Sequence, residues 1–249
     1  PLTRLTFDSR SVPAVAAQAF STTIESDALV VIDRTVTWDS RRYGAHAETA
    51  IETPSTVWYL AEGATHSGFD LFYLIQNPNA QTAEVEVEYL LPSGPTLTKP
   101  SRVAPKSRFN IWVDLEDPRL ADTAVSTTVE STNGVPVLVE RTMWWPGPTF
   151  ATWAESHNSF GTTSTGPRWA LAEGEEGGPD NRSTYILIAN TSPTAAQIRV
   201  TLLFEEGTTI SRDYTLAARS RFNVAVGVEF PAARGRRFGA IVESVGVSP

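Results

Sequence analysis

The chain has 249 residues, 41% of them hydrophobic and 19% charged, the balance of a soluble globular protein long enough for one large or two ordinary domains. A formal net charge of −8 and a pI near 5.0 exclude a broad basic face that could displace counterions from phosphates, so nucleic acid is not an expected partner and anionic membrane surfaces are disfavoured. The absence of cysteine excludes a disulfide frame and thiol chemistry, and no basic leader or apolar run of about 18 residues points to a signal peptide or to direct membrane insertion.

Taken in order, residues 21–26 (STTIES) and 30–38 (VVIDRTVTW) read as strands that return later as residues 126–131 (STTVES) and 137–145 (VLVERTMWW). The phrase WYLAEG at 58–63 returns as WALAEG at 169–174, placing Trp58 and Trp169 111 residues apart. Residues 69–77 (FDLFYLIQN) form an apolar, aromatic run closed by Asn77-Pro78-Asn79, the pattern of a mostly buried strand, and its counterpart STYILIAN ends at Asn190. Residues 83–91 alternate strictly before the turn Pro92-Ser93-Gly94, and residues 196–204 do so before Glu205-Glu206-Gly207. An offset of 113 carries SRFN at 107–110 onto 220–223 and VES at 129–131 onto 242–244. Asn133-Gly134 tolerates the positive φ of a tight primed turn, which predicts a hairpin between residues 126–131 and 137–145. Across that hairpin, Glu25, Glu130 and Glu243 on one strand are expected to face Arg34 and Arg141 on the other. Segments 39–57 and 146–168 read as long connections crossing the sandwich.

Short strands, no sustained 3.6-residue periodicity and turn residues every 8 to 12 positions predict an all-β protein of tandem immunoglobulin-like β-sandwich repeats of about 110 residues, seven strands to the unit. Residues 1–57 are then the C-terminal half of one repeat, 58–168 a complete repeat, and 169–249 a repeat lacking its last strand. An alternative phase gives sandwiches at about 1–105 and 106–218 with a C-terminal strand pair.

The ordered phrases WYLAEG, LIQNPN, EVEVEYLLPSG, SRFN, STTVES and VLVERTMWW resemble a bacterial, actinobacterial-type tandem repeat of large secreted and cell-surface proteins. The likeness spans nearly the whole chain and implies an extracellular, multi-copy module. It carries over no catalytic residue. One departure is that Tyr43-Gly44-Ala45-His46 and Trp153-Ala154-Glu155-Ser156-His157 stand where that repeat has a Gly-rich stretch.

His46 lies twelve residues before Trp58 and His157 twelve before Trp169, with Glu62 and Glu173 also recurring. Positions that recur between internal copies serve each unit's fold, so His46, His157, Glu62, Glu173, Trp58 and Trp169 are read as structural, a histidine bonded to the glutamate locking the connection onto the next sandwich. One histidine and one carboxylate are too few for zinc, and no metal or cofactor is expected. Glu84, Glu86 and Glu88 share a strand face that reads as solvated, and Glu173, Glu175, Glu176 and Asp180 follow no EF-hand spacing. With no cysteine, no GxSxG and no Gly-rich phosphate loop, no catalytic set emerges and a non-enzymatic protein is expected.

The tryptophans divide by position. Trp58, Trp169, Trp38 and Trp145 recur and are assigned to cores, whereas Trp112, Trp144 and Trp153 do not recur and are candidate surface platforms for sugars or protein partners. Strand alternation turns Trp144 to the face opposite Trp145. The leading expectation is an extracellular or cell-surface structural or adhesive protein, its open last unit completed head to tail by another copy. The alternative is a carbohydrate-binding accessory module that uses Trp112, Trp144 and Trp153 on a cell-surface polysaccharide.

Overall fold

The computed structural model describes residues 3–38, 44–147 and 153–246. Its architecture is all-β, with antiparallel sheets stacked in sandwiches. Residues 3–32 hold only two single-turn 3-10 segments before the hairpin of β1 (Asp33–Trp38) and β2 (Gly44–Thr49).

The first sandwich runs through β3 (Val57–Leu60), β4 (Asp70–Asn77), β5 (Ala83–Leu90), β6 (Leu97–Val103), β7 (Ser107–Trp112), β8 (Ser126–Ser131), β9 (Leu138–Trp145) and β10 (Glu155–Phe160). One sheet has the order β3-β8-β5-β6 and the other β10-β9-β4-β7. Period-two alternation sets which side chains enter the core: Leu71, Tyr73 and Ile75 from β4 meet Val85, Val87 and Tyr89 from β5. Trp58 closes this core at 2% exposure, its indole N–H donating to the Val137 carbonyl over 2.9 Å.

The second unit comprises β11 (Arg168–Leu171), β12 (Glu175–Glu176), β13 (Tyr185–Asn190), β14 (Ala196–Phe204), β15 (Thr209–Leu216), β16 (Ser220–Ala225), the one-turn helix α1 (Val226–Glu229) and β17 (Arg236–Ser244). Its first sheet, β11-β17-β14-β15, keeps the registers of the first sandwich: Trp169 pairs with Val242 as Trp58 pairs with Val129, and Val200 with Val242 as Val87 with Val129. Among the described residues its second sheet has two strands, β13 and β16, standing where β4 and β7 stand.

Asn77 and Asn190 end β4 and β13 in the same way. Each is buried and aims its amide N–H2 at carbonyls on two neighbouring segments, Gln81 and Val103 for the first, Thr194 and Ala217 for the second. A buried amide satisfied on both sides fixes where the strand stops.

Residues 21–26, expected to form a strand, are irregular and exposed. Three further expectations are corrected. Gly134 has the positive φ foreseen for it, but the turn links β8 in one sheet to β9 in the other, pinned by the Asn133 side chain, which accepts from Glu84 N–H and donates to the Thr82 carbonyl. Glu130 therefore lies across from Val57 and Glu86, and Arg141 bonds elsewhere, so the supposed Glu–Arg hairpin pairs do not form. The connections 39–57 and 146–168 each contain a strand, β2 and β10, folded back on β1 and β9. Their polar, small-residue sequences lack the β-branched signal by which strands are read. Among the described residues the first sandwich consequently has eight strands, one more than expected. Parts of both connections, residues 39–43 and 148–152, lie outside the described residues.

Candidate functional site

The two hairpins share one register. Trp38 lies opposite Gly44 and Val36 opposite His46 in β1–β2, as Trp145 lies opposite Glu155 and Met143 opposite His157 in β9–β10. In the second hairpin, Arg141 turns inward, 4% exposed, and its guanidinium bridges to the Glu62 carboxylate at 2.6 Å and to His157 Nδ1 at 3.0 Å. The histidine and the glutamate are thus joined through Arg141, inside one sandwich, and they do not lock the next one. Burial, and then the Arg141 charge, pull the His157 pKa below its ordinary value, which keeps the imidazole neutral and its lone pair free to accept from the guanidinium.

In the first hairpin the corresponding arginine, Arg34, reaches onto the outer face of the first sandwich. It donates to both Glu140 carboxylate oxygens and to Asn158 Oδ1. His46 Nδ1 is left without the partner that His157 has. Burial, then Arg34, likewise lower the His46 pKa.

Trp112, Trp144 and Trp153, placed apart by sequence, meet on that outer face. Trp153 lies 5.6 Å from Trp112 and from Phe72 and 6.1 Å from Trp144, and Trp144 packs against Trp38 at 4.7 Å. The Trp153 N–H donates to Asp70 Oδ2, and the Trp38 N–H to the Ala154 carbonyl. These rings are tilted or edge-on to one another and tie the β1–β2 hairpin and the β9–β10 connection to the sheet. Trp145 points the other way, into the core against Phe69.

Glu84 pairs with Arg102 on the solvated face foreseen for it, while Glu88 from the same face reaches Arg219 of the second unit at 2.8 Å. Glu175 is held by Arg182 and Arg237, and Asp180 by Arg182. Among the described residues no group of three His, Asp or Glu side chains could hold a metal ion, and no helix is long and apolar enough to cross a membrane.

Among the described residues the second unit leaves one edge of β13 unpaired. β13 pairs with β16 on one side, and among the described residues no strand takes the place that β9 takes beside β4. Trp169 and Leu171 are each 46% exposed, where Trp58 and Leu60 are 2% and 4%. The Trp169 N–H turns to the nearby Gly166 carbonyl, lacking a counterpart of Val137. Trp169, assigned to a core, is thus half exposed among the described residues, and Trp38, assigned likewise, lies on the outer face against Trp144. At the other end of the chain Val30 is 56% exposed, whereas Val137, the same position before the next hairpin, is fully buried.

Between the units, the residue that sequence reading missed is Arg221. Its guanidinium donates to the carbonyls of Ala61 (2.6 Å) and Val125 (2.8 Å) in the first sandwich, its backbone N–H to the Leu91 carbonyl, and it is 3% exposed. Burial brings its pKa down to about 10, which leaves it charged at neutral pH. The recurrence of SRFN was the available signal, although it marked a strand rather than a contact.

No protein-family model matches this chain, nor does any curated protein sequence. Among solved structures, the crystal structure of Thermotoga maritima 1070 is similar at TM-score 0.39 and 16% identity, over 45% of this chain and 96% of that one. Anabaena sensory rhodopsin transducer is similar at TM-score 0.32 and 17% identity, over 37% and 91%. Likenesses this partial carry no functional argument.

Proposed function

We propose that this chain is a non-enzymatic, extracellular structural protein of tandem sandwich units that joins copies head to tail by strand complementation. The observation that carries the reading is a pair of strand edges: among the described residues, no strand stands beside β13 as β9 stands beside β4, and none pairs with the other edge of β1, which is built like β9 and paired with β2 as β9 is with β10. Copying the β4–β9 register puts Ile186 opposite Arg34, Leu187 opposite Asp33 and Ile188 opposite Ile32 of a second copy. Arg34 then comes to the position Arg141 holds, beside Glu173 in place of Glu62, and Val30 comes over Trp169. Such a contact joins two different surfaces and does not close on itself, so it propagates into a fibre. Extracellular placement is supported by the sequence resemblance. Carbohydrate binding is the weaker reading, because Trp112 and Trp144 are spent on other rings and on the hairpin, leaving Trp153 at 37% exposure.

Light scattering with small-angle X-ray scattering over a concentration series tests this directly: mass and rod length should grow together. In a chain without native cysteine, the double variant Asp33→Cys, Leu187→Cys should form intermolecular disulfides in a ladder of oligomers. A monomer at every concentration, with no ladder, would refute the assembly.

A further inference from the structure

The junction between the two units supplies a template for a second one. At its centre is an arginine, Arg221, entering the end of the sandwich that precedes it. The end of the second sandwich is built alike: Phe238 N–H bonds to the Gly174 carbonyl at 2.8 Å, as Val125 N–H bonds to that of Gly63 at 2.9 Å. Ala172 and Phe238 therefore stand where Ala61 and Val125 stand, and Phe204 stands where Leu91 stands. All three line a cleft of about 420 Å³ that also carries Glu173 and Glu205. The cations on its wall, Arg182 and Arg237, are both drawn to Glu175.

The residue matching Arg221 in the first unit is Arg108. Each starts its SRFN strand one residue after the serine, each reaches the asparagine two positions on, Asn223 or Asn110, and each faces the strand paired with it at Ala189 or Gln76. Arg219 and Lys106, two residues earlier, share a positive φ and donate their backbone N–H to Ser192 and Asn79. Arg34 of the β1–β2 hairpin bonds to Glu140 on the sheet face of the first unit that also carries Arg108, and Arg141 of β9 and Arg221 of the second unit donate to the adjacent carbonyls of Glu62 and Ala61.

We infer that the cleft at the end of the second sandwich is a socket for an arginine and that its occupant is Arg108 of a second copy, donating to the carbonyls of Ala172 and Phe238. This rests on the head-to-tail reading and adds to it a contact that strand pairing alone does not require. One incoming copy satisfies both: its hairpin completes β13, and its first sandwich, directly following that hairpin, brings Arg108 to the cleft. The Gln76–Thr23 hydrogen bond beside Arg108 is released as the irregular residues 3–32 move aside. Lys106 arrives opposite Thr201, where Arg219 meets Glu88 in the existing junction.

The test measures self-association by sedimentation for the parent chain, Arg108→Ala and Thr201→Glu, each also carried in the Asp33→Cys, Leu187→Cys background. Two charge-assisted bonds in a desolvated socket should make Arg108→Ala associate at least about tenfold more weakly. Thr201→Glu should associate more tightly by giving Lys106 a partner, and unchanged thermal unfolding of dilute Arg108→Ala confirms that the monomer is intact. If the disulfide ladder forms and Arg108→Ala associates like the parent, the socket is refuted while strand complementation stands. If no ladder forms and the parent stays monomeric, both fail.

Discussion

Truncating the two recurring tryptophans gives a quantitative test of the open edge. Trp58 is buried, and a tryptophan ring removes ~150–250 Å² from water, which at ~25 cal/mol per Å² sets an upper bound of ~4–6 kcal/mol. Trp58→Ala also leaves the buried Val137 carbonyl without its donor. Large-to-small core changes of this kind cost ~3–5 kcal/mol, and the first sandwich should lose stability at the top of that range. Trp169 is 46% exposed and its N–H bond is made at the surface, so Trp169→Ala removes about half the buried area and should cost ~2 kcal/mol. The two units need not unfold together, so the readout is native-state hydrogen exchange resolved by unit, on dilute protein. Above the concentration at which copies associate, Trp169 gains a cover and the two costs should converge. Equal costs in the dilute monomer would show that the edge of β13 is already closed within one chain and would overturn the reasoning.

Two further outcomes follow from the Arg141 network. Glu62→Gln strips a buried guanidinium of its carboxylate and should cost ~3 kcal/mol, whereas Glu173→Gln, on the exposed counterpart, should stay within ~0.5 kcal/mol; thermal unfolding of the two variants compares them. His46 and His157 both have folded-state pKa values below the ordinary imidazole value, through burial first and a neighbouring arginine second. The unfolded chain then binds more protons in the window below that value, so stability is full above it and falls as pH drops through the folded-state values. Urea midpoints at pH 7.5 and about pH 5 should show the loss, and His157→Asn should make the profile flatter.

Strand positions were legible where an apolar run or strict alternation marks them, but β6 and β15 were not named and residues 21–26, read as a strand, are irregular and exposed. The alternation in residues 83–91 and the apolar run before Asn77 give β5 and β4 almost to the residue. β2 and β10 were not legible, because GAHAET and ESHNSF carry few apolar side chains: their partners are Arg34, Trp38, Arg141 and Trp145, whose demands are met from the neighbouring strand. Asn133-Gly134 was read correctly as a turn and wrongly as a hairpin, since positive φ specifies a local reversal and not which sheet receives the chain. Recurrence located residues that matter but misplaced their contacts: His157 and Glu62, expected to lock the connection onto the next sandwich, meet through Arg141 inside one. Arg221 was read only as part of a strand, because the same SRFN phrase serves the strand and the contact with the preceding sandwich.

An exposed strand edge is normally an aggregation hazard, and the way this one is built restricts what can join it. In the proposed assembly the strand accepted at β13 would have to place a cation beside Glu173 and apolar side chains over Trp169 and Ile188. A slip by two residues keeps the inward face but would present Ile32 or Val36 to that position in place of Arg34, leaving Glu173 without its cation and Arg34 buried without its carboxylate. Arg34 is also held by Glu140 and Asn158 of its own chain, so a wrong partner must offer more than that exposed pair to draw the hairpin away. In the proposed assembly Arg34, buried only once the strand is seated, would act less as a source of stability than as a test of register. Replacing Arg34 with Met should show this: the hairpin would still pair with β13, but the disulfide ladder through positions 33 and 187 should give way to mixed registers, seen as cross-links between position 187 and cysteines placed at 31 or 35. A single register in that variant would show that the apolar pattern alone sets the alignment.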